Sequence, residues 1–133
     1  MSKPMGKPKI LVVDDESDIA NSIKRGLENK GYVVEAYTDP QKALENYKVG
    51  EYDLCMIDIR MPQMNGFQLY VEIKKLDHGV RICFCTAFEA EYHQEFHKAF
   101  PELDERNFIP KPASLTQLVA RIDQELKKEI TVY

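Results

Sequence analysis

The feature that most constrains this chain is an alternation. Five short apolar runs, Lys9–Val13, Tyr32–Tyr37, Leu54–Ile57, Arg81–Cys85 and Phe108–Ile109, are separated by longer stretches whose apolar residues recur at helical spacing. Runs of this length suit buried strands better than helices. Strict strand–helix alternation predicts an α/β fold, a doubly wound five-stranded parallel sheet with helices on both faces. Right-handed crossovers then leave few possible strand orders.

Turn and cap residues sharpen the boundaries. Ser17 is placed to cap a helix carrying Ile19, Ile23 and Leu27, with Gly31 as its stop. Asp39-Pro40 reads as an N-cap followed by proline at the first helical position. The helix behind it presents Ala43, Leu44 and Tyr47 and is expected to end at Gly50. After a loop with Pro62 and Gly66, a third helix places Leu69, Ile73 and Leu76 on one side. A fourth is expected from about Glu89 to Phe100, before Pro101. Ser114 caps the last helix, whose apolar face is Leu115, Leu118, Val119, Ile122 and Leu126.

A chain of 133 residues is one ordinary domain with room for a real core. We divide it into an N-terminal tail (1–8), a folded domain (9–128) and a C-terminal tail or start of a linker (129–133). Its net charge of −4 gives no electrostatic footprint for nucleic acid or anionic lipid. No apolar run approaches the roughly 18 residues of a membrane span, and the Lys/Pro-rich start lacks the apolar stretch of a signal peptide. Three cysteines, Cys55, Cys83 and Cys85, make no disulfide framework and read as buried thiols, which points to the cytoplasm.

In open parallel sheets, ligands bind at the carboxyl ends of the strands. The polar residues ending these strands are Asp14-Asp15, Asp58, Thr86 and, near the fifth, Lys111. Three carboxylates, a hydroxyl and an ammonium should therefore converge on one rim. The carboxylates repel one another unless compensated, and a hard divalent cation is the natural compensation. Mg²⁺ takes oxygen ligands, keeps several waters and needs only one or two carboxylates. The remaining carboxylate is free to act as a nucleophile toward phosphorus, with Lys111 and Thr86 placed to meet the transferred phosphoryl.

At this point the chain resembles the receiver domains of two-component response regulators. Ile10-Leu11-Val12-Val13-Asp14-Asp15-Glu16 is similar to their first-strand motif. Leu54 to Gly66, with Asp58, Met61-Pro62, Met64 and Gly66, is similar to their phosphorylation loop, and Thr86-Ala87 and Lys111-Pro112 match the other two motifs. The resemblance implies a flavodoxin-like strand order, 2-1-3-4-5. It implies that Asp58 takes a phosphoryl group from a histidine kinase or histidine phosphotransfer protein. Mg²⁺, or Mn²⁺, would be held by Asp15, Asp58 and the backbone carbonyl of Arg60, with Asp14 acting through water. Thr86 and Lys111 would bind the phosphoryl. Phe108 stands where receivers often carry an aromatic that turns inward on activation, switching the surface of the fourth helix, fifth strand and fifth helix. Lys111-Pro112 resembles the family's cis peptide.

The resemblance also implies that Arg60 and Phe88 flank the path of the water that hydrolyses the aspartyl phosphate. Neither is suited to orient that water, so a slowly decaying phospho-form is expected. Output would pass to a partner protein, a fused domain or a second copy of the chain in a phosphorylation-dependent dimer. Alternatives are a phosphate sink or shuttle without its own output, and an aspartyl-phosphate phosphohydrolase. Such hydrolases carry a second acid two residues after the nucleophile, where this chain has Arg60. The chain is thus read as a signalling receiver, not an enzyme, beyond its own phosphorylation and slow autodephosphorylation. It departs from the family at Phe100–Asn107, which is longer than the usual turn before the fifth strand. Phe88, Tyr92, Phe96 and Phe100, at spacing four, read as core rather than docking surface. His93 and His97 read as a solvated helix face.

Overall fold

In the computed structural model the described residues are 7–86, 98–103, 107–110 and 114–130, without the side chains of Thr86, Pro110 and 127–130. Five strands, β1 (Lys9–Val13), β2 (Val33–Tyr37), β3 (Leu54–Asp58), β4 (Ile82–Thr86) and β5 (Phe108–Pro110), form one sheet. All pairs are parallel and the order is β2-β1-β3-β4-β5, as expected. The helices are α1 (Ser17–Asn29), α2 (Pro40–Glu45), α3 (Gly66–Leu76) and α4 (Leu115–Ile130). The helix expected over Glu89–Phe100 and the tail 1–6 fall largely outside the described residues.

The pleat divides the core in two. Leu11, Val13, Cys55, Ile57 and Phe84 meet α2 and α3 through Ala43, Leu69, Tyr70 and Ile73. On the other face, Ile10, Val12, Leu54, Met56, Cys83 and Cys85 meet α1 and α4 through Ile23, Leu27, Leu118, Val119, Ile122 and Leu126. β3 is buried along its whole length, which explains its unbroken apolar run. Each fully buried aliphatic side chain contributes roughly 1.5–3 kcal/mol. All three cysteines are buried and outside any disulfide, and burial pushes the Cys83 thiol up to about 12.

Several expected boundaries shift, each for a local reason. Glu16, not Ser17, is the N-cap of α1, with extended backbone and no side-chain cap bond. Its N–H donates instead to Asp14 Oδ1 at 2.9 Å, so the acidic pair draws the chain into its turn one residue early. Gly31 does stop α1, at φ +97°, with its N–H on the Glu28 carbonyl. The second strand begins at Val33 because Tyr32 N–H still bonds back to the Leu27 carbonyl. α2 ends at Glu45, well before Gly50, because the Asn46 side chain donates to the Lys42 carbonyl at 2.8 Å and closes the last turn. Asp39 caps α2 as read, accepting from Gln41 N–H at 2.9 Å.

Leu76 is 50% exposed, since it lies beyond the last turn of α3 that the sheet covers. Leu115 is 41% exposed at the first turn of α4, although it flanks Gly26 of α1. Ser114 caps α4, accepting from Gln117 N–H at 3.1 Å.

Candidate functional site

The register brings the strand ends to one level. Val13 pairs with Ile57, Ile57 with Phe84, and Phe84 with Phe108. One residue on stand Asp14 and Asp58, on neighbouring central strands. The alternation that sends Ile10 and Val12, and Leu54 and Met56, toward α1 and α4 continues through both acids. They therefore share a face as well as a level. Asp15 follows Asp14 onto the rim.

Carboxylate oxygens of Asp14, Asp15 and Asp58 all lie within 4.8 Å of one another. Asp14 is fully buried, Asp58 is 5% exposed, and Asp15 is exposed. At an effective dielectric of about 20, unit charges this close repel by roughly 3–4 kcal/mol per pair, less where Asp15 meets solvent. The fold brings these carboxylates together at that cost. An all-oxygen donor set, part buried and part open, fits a hard divalent cation that retains water.

The loop after Asp58 is fixed on both sides of Arg60. Ile59 and Met61 are buried, while the Arg60 side chain is exposed. Ile59 N–H donates to the Cys85 carbonyl at 3.3 Å, and the Ile59 carbonyl accepts from Gly66 N–H at 2.9 Å. Met64 N–H closes a three-residue turn onto the Pro62 carbonyl at 2.7 Å, centred on Gln63 at φ +72°. That is a strained γ-turn for a residue with a side chain. Asn65 then caps α3 in a reciprocal box with Gln68, both bonds at 2.9 Å. The Asn-x-x-Gln spacing was available in the sequence but was not read as a cap.

The other site residues divide by what is described. Thr86 ends β4, pairing with Pro110 one level beyond Asp58 and Cys85, and its side chain lies outside the described residues. Lys111, Pro112 and Phe88 lie outside them too, as do Tyr92, Phe96, His93 and His97. Phe108 is buried, its ring stacked on Phe84. Phe100 packs edge-on against Tyr70 at 5.2 Å, so this member of the aromatic series joins the core. Tyr70 also donates a hydrogen bond to Glu102 at 2.6 Å, a contact that no sequence spacing indicated.

Comparison with known proteins agrees with this arrangement. Residues 10–123 match the response regulator receiver domain family, and the chain belongs to it. It is 30% identical over 128 residues to the transcriptional regulatory protein PrrA of Mycobacterium leprae, covering 96% of this chain and 54% of that protein. The chain thus spans about half the length of such curated relatives. Among solved structures, it resembles the non-phosphorylated HemR receiver domain from Leptospira biflexa, with TM-score 0.77 and 32% identity over 90% of this chain and 94% of that one. It also resembles the response regulator TrrA from Thermotoga maritima in complex with Mg(2+)-BeF, with TM-score 0.72 and 29% identity over 88% and 97%. The chain is accordingly a signalling receiver of the two-component type, and no helix among the described residues is long and apolar enough to cross a membrane.

Proposed function

We propose that Asp58 is the phosphoacceptor. The observation that carries this is the packing of the three carboxylates within 4.8 Å at the carboxyl edge of the central strands, with Asp58 at the end of β3. An Asp58 carboxylate oxygen forms a bond to phosphorus as the P–N bond of a phosphohistidine breaks. The bonding pair returns to the imidazole, which takes up a proton. The donor is a histidine kinase or histidine phosphotransfer protein.

Asp15, Asp58 and the Arg60 carbonyl would hold Mg²⁺, or Mn²⁺, with Asp14 acting through water. The bound cation supplies charge compensation for the acids and for the phosphoryl oxygens. Asp14 is held for this role by the Glu16 N–H, which fixes one of its oxygens. Thr86 donates to the phosphoryl and Lys111 pairs with it. Thr86 and Phe108 carry the change to the surface beyond, and Arg60 and Phe88 set the lifetime through slow autodephosphorylation. Output passes in the cytoplasm to a partner protein, a fused domain or a second copy of the chain.

The test is intact-mass analysis after incubation with a small acyl phosphate and Mg²⁺. Wild type should gain one phosphoryl group, and Asp58→Asn none. Equal uptake by the variant would refute the assignment.

A further inference from the structure

Gly66 is the first residue of α3 and is buried. Its backbone does not need glycine's freedom: among the described residues the glycines at positive φ are Gly31 and Gly50, and Gly66 is not one of them. What it needs is space. A Cβ placed on Gly66 would lie 2.5 Å from the Asp58 carbonyl oxygen, 2.9 Å from Ile59 Cα and 3.1 Å from the Asp58 carbonyl carbon. All three are backbone atoms, so no side-chain rotation relieves the clash. At Gly79, by contrast, a Cβ would meet nothing within 4 Å.

We propose that Gly66 is a positioning residue for the phosphoacceptor: by lacking a side chain it lets α3 seat directly on the Asp58–Ile59 peptide and so fixes the backbone that holds the cation. The seat has two parts. The first is the bare contact with Asp58. The second is the Gly66 N–H bond to the Ile59 carbonyl at 2.9 Å, which sets the peptide plane leading into Arg60. The Arg60 carbonyl belongs to the next plane, so rotation at this point would carry it away from the acids. The Asn65–Gln68 box holds the first turn of α3 against the loop from the outside. A substituent at Gly66 has to displace either α3 or the Asp58–Ile59 backbone. Positions matter here at the scale of tenths of an ångström, because metal–oxygen distances tolerate little more.

This proposal rests on the reading of Asp58 and the cation given above, and the experiment separates the two. Mg²⁺ affinity is measured calorimetrically on unphosphorylated full chains of wild type, Gly66→Ala and Gly79→Ala, with far-UV circular dichroism as the check on folding. Gly66→Ala should bind Mg²⁺ at least tenfold more weakly while keeping its helical spectrum, and Gly79→Ala should bind like wild type. A folded Gly66→Ala within twofold of wild type would overturn the seat and leave the phosphoacceptor reading intact. A wild type that binds no Mg²⁺ would overturn both. Should Gly66→Ala not fold, Asn65→Ala loosens the same seat without adding an atom. It should weaken Mg²⁺ at least threefold, and unchanged affinity in that variant would overturn the proposal.

Discussion

The ring of Phe108 stacks on that of Phe84, with centroids 5.5 Å apart and planes inclined by 25°. Phe84 in turn meets Phe67 and Tyr70 edge-on, so a continuous aromatic layer runs from β5 to α3. Phe108 is therefore part of the core on the α2 and α3 side of the sheet. Truncation to Ala should leave a cavity and cost about 3–5 kcal/mol, read by urea denaturation. A loss under 1 kcal/mol would place the ring outside the core.

Tyr70 ties α3 to the segment that precedes β5. Its hydroxyl bond holds the Glu102 carboxyl below its ordinary value of 4.5. A lowered carboxyl contributes stability above its unfolded value and loses it as pH falls through the lower folded value. Tyr70→Phe should thus cost about 0.5–1 kcal/mol at neutral pH, a small figure because Glu102 is exposed. The difference from wild type should shrink as pH falls through the folded value of Glu102. Thermal unfolding between neutral pH and pH 3 checks this, and a difference that persists unchanged at the acid end would contradict it.

Gln63 sits at φ +72° in the loop between the acids and α3. A side chain there costs roughly 1 kcal/mol that glycine does not incur. Gln63→Gly should raise stability by about 0.5 kcal/mol, after the extra freedom of glycine in the unfolded chain is subtracted. Chemical denaturation measures it. A loss of 1 kcal/mol would show that the Gln63 side chain makes contacts that outweigh the strain.

Arg60 is exposed beside the site, and together with Phe88 it is proposed to set the lifetime of the phospho-form. If a guanidinium on the phosphoryl oxygens and a bulky ring hinder the attacking water, the Arg60→Asn/Phe88→Glu double variant should lose its phosphoryl at least tenfold faster. That corresponds to about 1.4 kcal/mol of barrier. A decay time course compares the two, and equal rates would remove both side chains from the path.

The sheet and the three acids were legible because they rest on strong local signals. Apolar runs of strand length fixed β1 to β4, and strand ends placed Asp14, Asp15 and Asp58 together. Helix ends were less legible. α2 stops at Glu45 because an Asn46 side chain outcompetes a glycine further on. The exposure of Leu76 and Leu115 depends on how far the sheet reaches, which helical periodicity does not carry. The Tyr70–Glu102 bond and the closeness of Gly66 to Asp58 are tertiary facts joining positions whose spacing follows no local period.

We propose Asp58 as the residue that carries the phosphoryl group. Borohydride reduction of the acyl phosphate, followed by peptide mass spectrometry, reads its position, because a phosphorylated aspartate becomes homoserine. After treatment with an acyl-phosphate donor, homoserine should appear at position 58 alone and only when Mg²⁺ is present. Homoserine at Asp14 or Asp15, or at position 58 equally without a divalent cation, would contradict the site proposed for this chain.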